Sequence, residues 1–126
     1  MGSMGLKISI GSLDVSVELN DSQTAKWIVS RLPLTSRAEL WGEEVYFYIK
    51  PQTELETSYA ADVVEVGDVA YWPQGPCLCL FFGMTPSSRN GQIMPASTVT
   101  VIGRVSGDAR ILEKTKEGDL IQVEKL

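Results

Sequence analysis

The chain has 126 residues, 44% of them hydrophobic, which fits a single domain spanning residues 1–126 with an ordinary core. A net charge of -5 and a sequence pI of about 4.7 argue against a nucleic-acid partner, which needs a basic face. The lack of histidine removes imidazole metal ligands, His-based triads and a histidine pH switch, and no apolar run reaches the length of a membrane span.

Residues 1–4, Met-Gly-Ser-Met, read as an expression scar with a native start at Met4. No basic region followed by an apolar block opens the chain, so no export signal is expected. Residues 6–10 read as a short strand, and Gly11-Ser12 as a two-residue turn with glycine in the first central place. Residues 13–19 alternate strictly: Leu13, Val15, Val17 and Leu19 face a core, while Asp14, Ser16 and Glu18 face water.

Asn20-Asp21-Ser22 is a helix N-cap cluster. Ala25, Ile28, Val29 and Leu32 follow at helical spacing, and Pro33 stops the helix at Leu32. That apolar stripe suits a plug for the end of a barrel, with Trp27 packing beside it. Residues 35–40 read as a polar connection. Residues 43–50 predict a strand with Val45, Phe47 and Ile49 on one face and Glu44, Tyr46 and Tyr48 on the other, which is amphipathic and suits a wet surface. Residues 51–61 read as loop and 62–66 as a short strand.

The densest stretch is 67–83. Gly67-Asp68 is a turn signal, and 69–72 a strand with Ala70 and Trp72 on one face and Tyr71 on the other. Pro73, Gly75 and Pro76 break the pattern. Residues 77–82 then resume as a strand with no polar residue on either face, so it must be covered on both sides. Cys77 and Cys79 point the same way, roughly 6.6 Å apart along a strand, so two buried core thiols are expected rather than a disulfide. A metal shared across a dimer is the lesser alternative, and no cofactor is expected. Reduced thiols without an export signal make the cytoplasm the expected compartment.

Residues 84–91 predict a mobile excursion ending in the Asn90-Gly91 turn. Residues 92–97 are irregular around Pro95, 98–105 form a strand with Val99 and Val101 on one face, 109–115 a short helix, and 119–125 an alternating strand. About eight short strands without long crossover helices point to a closed antiparallel barrel whose ends two helices cap.

Several motifs resemble the cyclophilin-like domain proteins, a small bacterial and archaeal branch of the cyclophilin fold. They are Trp41-Gly42-Glu43-Glu44-Val45-Tyr46-Phe47, Glu65-Val66-Gly67-Asp68-Val69-Ala70-Tyr71-Trp72-Pro73, Leu78-Cys79-Leu80-Phe81-Phe82-Gly83, Pro95-Ala96-Ser97 and Val101-Ile102-Gly103-Arg104-Val105. The resemblance implies a mainly β, closed eight-stranded barrel capped by two short helices. It also implies a groove on the outer face of the barrel, where classical cyclophilins seat a proline ring and an arginine bonds the isomerising amide. Phe82 falls where that motif has its pocket-floor phenylalanine, and Gly75-Pro76 resembles the cyclophilin Gly-Pro turn.

The polar part of the motif is different here. The strand that should supply the arginine reads Glu43-Glu44-Val45-Tyr46-Phe47-Tyr48, Leu80 stands at the glutamine position, and no histidine exists for the rim. Glu43 and Glu44 are neighbours on a strand and point to opposite faces, so they do not form a catalytic pair.

The expected function is therefore a cyclophilin-fold domain binding a peptide or small molecule through Trp41, Glu44, Tyr46, Tyr71, Trp72, Phe82 and Ser97, with Trp72 partly buried in the groove. The competing readings are a peptidyl-prolyl isomerase using Arg37 or a tyrosine hydroxyl as donor, and a partner-docking or oligomerisation module near Trp72.

Overall fold

Alternation of apolar and polar residues builds the first hairpin. In the computed structural model, which describes residues 4–126, Gly5–Ile10 (β1) and Leu13–Leu19 (β2) pair antiparallel. Residues 1–3 of the scar read at the N-terminus lie outside the described residues. Gly11 takes φ 59°, which a side chain would resist and the tight turn requires. Leu6, Ile8, Ile10, Val15, Val17 and Leu19 are all buried.

The helix Gln23–Ser30 (α1) starts on the Ser22 hydroxyl, which accepts a hydrogen bond from the Ala25 N–H at 3.0 Å. It ends two residues before the expected stop and buries Thr24, Ala25 and Ile28. Val29 and Leu32 pack only partly against the core.

The remaining strands are Leu34–Arg37 (β3), Glu39–Leu40 (β4), Glu44–Tyr48 (β5), Ala60–Ala61 (β6), Asp68–Trp72 (β7), Cys77–Phe81 (β8), Val99–Val105 (β9) and Leu120–Lys125 (β10). All pairings are antiparallel, and the sheet runs β3-β10-β1-β2-β9-β7-β8-β5-β4, with β6 added to β9.

The fold is thus a mainly β, nearly closed barrel of nine strands along that path, rather than the closed eight-stranded barrel expected. The difference comes from residues 34–40, which hold two strands parted at Ala38 rather than a connection, and from residues 62–66, which are not a strand. Leu34 and Ser36 are partly buried and Ala38 is fully buried, while Thr35 and Arg37 are exposed. A small or polar residue at every second inward place hid this alternation. The path ends at β3 and β4, which are consecutive in the chain. The chain therefore crosses the remaining gap itself at Ala38, and the Ser36 hydroxyl donates to Tyr48 O at 2.6 Å beside it.

Residues 62–66 are not a strand either. Their pairing reduces to a bridge between Val64 and Ile93, and β6 takes the edge of β9 instead. The last helix is a 3-10 helix, Ala109–Lys114, capped by Asp108. Its buried side chains, Ala109 and Leu112, are three apart, which suits three residues per turn. Among the described residues no helix is long and apolar enough to cross a membrane.

The core has two parts. Inside the barrel Val45, Phe47, Val69, Tyr71, Leu78 and Leu80 meet the apolar faces of β1, β2, α1 and the 3-10 helix. Outside it Ala70, Cys77, Cys79, Phe81 and Val99 are covered by Val64 and Ile93. So β8 is buried on both faces, as its composition demanded. A bulge lets β9 serve both parts: Val69 pairs with Gly103 but Ala70 with Val101, leaving Ile102 extra. Ile102 points into the barrel core, while Val99 and Val101 pack outside.

Candidate functional site

The outer faces of β5, β7, β8 and β9 form the floor of a concavity of about 260 Å³. Glu44, Tyr46 and Tyr48 enter it from β5, Cys79 from β8, Trp72 from the end of β7 and Val99 from the start of β9. Trp41, from the turn before β5, and Pro95 and Ala96, from the segment before β9, complete the walls.

The period of two puts these groups together. Glu44, Tyr46 and Tyr48 share a face because they alternate on a strand, and the register sets Tyr46 beside Cys79 on one side and Glu39 on the other. Trp41 is held by a turn in which its N–H donates to Glu44 O at 3.0 Å. Gly42 in that turn has φ 61°, and a Cβ there would sit 2.8 Å from Met84 O. Only glycine lets the 84–86 segment pass so close.

The excursion after β8 is cross-tied. The Thr85 hydroxyl donates to Met94 O, and the Ser88 hydroxyl accepts from the N–H groups of Thr85 at 2.9 Å and Met94 at 3.0 Å. Asn90 and Gly91 both take positive φ, 57° and 74°, as the turn signal required. These ties carry Pro95 and Ala96 onto the concavity. At its rim the Trp72 indole donates to the Ser97 hydroxyl at 2.6 Å, which fixes the ring plane.

Glu44 dominates the electrostatics. The residue is only 5% exposed, and its Oε1 is buried without a hydrogen-bond partner. Burial pushes its pKa up to about 7, and the neighbouring Cys79 thiol, which favours the charged form, offsets only part of this. Burial, reinforced by the Glu44 charge, pushes the Cys77 thiol up to about 12 and holds Cys79 well above the usual thiol range. Both are free, buried cysteines, as expected, and they remain protonated at neutral pH.

Glu43 is the contrasting neighbour. It leaves the opposite face, accepts a hydrogen bond from the Met84 N–H at 3.2 Å and pairs with Arg110 at 3.4 Å.

Of the residues singled out from sequence, Trp41, Glu44, Tyr46 and Trp72 border this one concavity, and Ser97 braces it. Tyr71 and Phe82 do not belong to it. Tyr71 is 0% exposed inside the barrel, edge-on to Trp27 with ring centroids 5.8 Å apart, and its hydroxyl accepts from the Thr53 N–H at 2.8 Å. Phe82 packs in the same interior cluster, with the Arg110 guanidinium 5.9 Å from its ring centroid. The cause is parity: Tyr71 opposes Ala70 and Trp72, and Phe82 continues the inward row of Leu78 and Leu80. Tyr48 and Cys79 were missed although the same parity places them. Pro95, Ala96 and Val99 reach the site through the tertiary path of the 84–98 segment, which no local pattern reveals.

Among solved structures, the chain is similar to a hypothetical protein from Archaeoglobus fulgidus, known from its solution structure. The two are 40% identical over 98% of this chain and 95% of that one, with a TM-score of 0.83. A search of curated proteins returned no match. The family profile described as cyclophilin-like matches residues 4–124, and the chain belongs to that cyclophilin-like family.

Proposed function

We propose that this protein is a binding domain that takes a small molecule or a peptide side chain in the outer-face concavity, and that it is not a prolyl isomerase of the usual kind. The observation that carries this reading is the convergence of Trp41, Tyr46, Tyr48 and Trp72 around the buried carboxylate of Glu44. Apolar, aromatic walls around a few polar groups are the common make-up of a ligand site.

The isomerase reading finds less support. Arg37, the donor considered for it, gives its guanidinium to Gly118 O at 3.3 Å, where β3 meets β10. Arg110 reaches Phe82, but it bonds Phe82 O at 2.9 Å and pairs with Glu43 and Glu113, and the Phe82 ring is buried. A catalytic donor must instead be free to meet the twisted amide. The free buried thiols suit a reducing, cytoplasmic setting.

The test has two arms. A fragment mixture added to isotope-labelled protein should shift the indole N–H resonances of Trp41 and Trp72 and spare Trp27. A protease-coupled assay on an X-Pro peptide should run at the uncatalysed rate. Isomerisation above that rate which disappears in Phe82→Ala would reverse the assignment.

A further inference from the structure

The floor of the concavity holds a chemical deficit. Glu44 Oε1 is buried without a hydrogen-bond partner, and the carboxyl group has only the weak donor of the Cys79 thiol beside it. A carboxylate oxygen left this way costs free energy, and a buried polar group without a protein partner calls for one from outside. No lysine or arginine is among the lining residues and the chain has no histidine, so the site contains no counter-ion of its own.

What surrounds the carboxylate is aromatic. Tyr46 and Tyr48 stand edge to face, 5.9 Å apart at 74°, and Trp41 and Trp72 add two indoles. The faces of such rings attract cations. Glu39, directly opposite Tyr46 on the adjoining strand, adds a second negative charge nearby. The volume of about 260 Å³ is just below the roughly 300–1,000 Å³ of sites for drug-sized ligands, so it suits a small molecule or one side chain.

We propose that the concavity binds a protonated amine carrying at least one N–H, which donates to the Glu44 carboxylate while its carbon substituents rest against the tryptophan and tyrosine walls. This rests on the binding-domain reading above and names its ligand chemistry. A free small amine and a peptide lysine side chain, unmodified or carrying one or two methyl groups, both present a cationic head with an N–H.

The pH dependence separates this from a neutral carbonyl ligand, which would need Glu44 protonated as the donor. The titratable groups facing Glu44 are Glu39 and the hydroxyls of Tyr46 and Tyr48 along one side and the thiols of Cys77 and Cys79 along the other. Trp72, Pro95, Ala96 and Val99, on the other packed elements, bring none. Both thiols and the Tyr46 hydroxyl are pushed upward and remain neutral around pH 7, where Glu44 titrates.

The probes are cyclohexylammonium, its neutral analogue cyclohexanol, and cyclohexyltrimethylammonium, a cation with no N–H. They are titrated into the full chain and followed through the Trp41 and Trp72 indole resonances, with Trp27 as internal control. Cyclohexylammonium should bind saturably and about tenfold or more tighter than either analogue. Its affinity should fall by a similar factor in Glu44→Gln, whose folding is checked by circular dichroism. Between about pH 5.5 and 8.5 its affinity should rise about thirty-fold, following the ionised fraction of Glu44. Short peptides containing lysine or dimethyl-lysine form the second arm: tighter binding than the free amine identifies a peptide source, and weaker binding a small metabolite.

Equal binding of cyclohexanol, or affinity that grows as pH falls, overturns the amine assignment and leaves the binding-domain reading standing. If neither these probes nor the fragment mixture moves Trp41 and Trp72, both fall.

Discussion

Tyr71 and Trp72 leave the same strand on opposite sides. Tyr71 lies in the barrel interior, with Trp27 against its ring and Thr53 on its hydroxyl. Trp72 lies over the outer concavity, partly open, and its one polar atom is bonded to an exposed serine. β5 repeats the division: Phe47 is fully buried inside, while on the outside Tyr48 is 50% exposed and Glu44 is buried without a full set of partners. The inner side chains Tyr71 and Phe47 leave no polar group unsatisfied and close space. The outer face leaves space and one polar atom unsatisfied, the two features on which the proposed ligand site rests.

The largest expected effect tests the inner side. Tyr71→Ala removes a fully buried ring and strands the Thr53 N–H, so it should cost about 3–5 kcal/mol. That is a large share of a total stability of roughly 5–15 kcal/mol, and thermal melts should show a fall of many degrees or no cooperative unfolding. A loss below about 1 kcal/mol would mean that the interior is not the tight core described.

Next in size is Glu44. Its native pKa is about 7, against a reference value of 4.5 for the unfolded chain. Between those values the native state holds a proton that the unfolded state has released. Stability from this group is therefore full below about pH 4.5, falls as pH rises and levels off above 7. The loss is at most about 3 kcal/mol. Urea denaturation of wild type and Glu44→Gln, in which the amide cannot ionise, should diverge as pH rises, with the variant the more stable at pH 8.5. Parallel stability curves from pH 5 to 8.5 would show that the carboxylate is better solvated than its burial implies.

Trp72→Ala should cost less than either, about 1–2 kcal/mol, because a partly open ring returns little buried area to water. It should nevertheless abolish the proposed ligand shifts at Trp41. A melt as damaging as that of Tyr71→Ala would move Trp72 from the site to the core and erase the contrast between the two faces.

That contrast was legible in the sequence wherever alternation was clean. The doubly buried Cys77–Phe81 strand follows from its lack of any polar residue, and Leu13 to Leu19, and Val45 and Phe47 against Glu44 and Tyr46, follow from period two. The same rule divides Tyr71 from Trp72 and sends Phe82 inward with Leu80. Grouping Phe82 with the outer residues followed a resemblance to classical cyclophilins against the local parity, and Tyr71 was grouped there with Trp72, its neighbour in sequence. Leu34, Ser36 and Ala38 went unread because an inward serine and alanine carry too little hydrophobic signal. Pro95 and Ala96 depend on how Thr85 and Ser88 fold their loop back on Met94, a contact that forms only after the barrel exists.

The smallest expected effect brings the two faces down to one peptide bond. Glu43 and Glu44 are adjacent carboxylates, yet Glu43 is half-open, pairs with the exposed Arg110 at 3.4 Å and accepts the Met84 N–H. Exposed pairs of this kind are worth about 0–1 kcal/mol, and Arg110 keeps Glu113 and Phe82 O as partners. Glutamine at 43 retains an oxygen for Met84 and loses only the charge. Glu43→Gln should therefore shift stability by no more than about 0.5 kcal/mol, weakly and in a salt-dependent way, with the pH profile of the wild type intact. Its ammonium affinity should match wild type, because the lost charge lies on the far side of the strand. If Glu43→Gln instead flattened the pH profile, or weakened ammonium binding as much as Glu44→Gln, the two carboxylates would be acting as one unit, and the assignment of the buried charge to the outer face alone would fail.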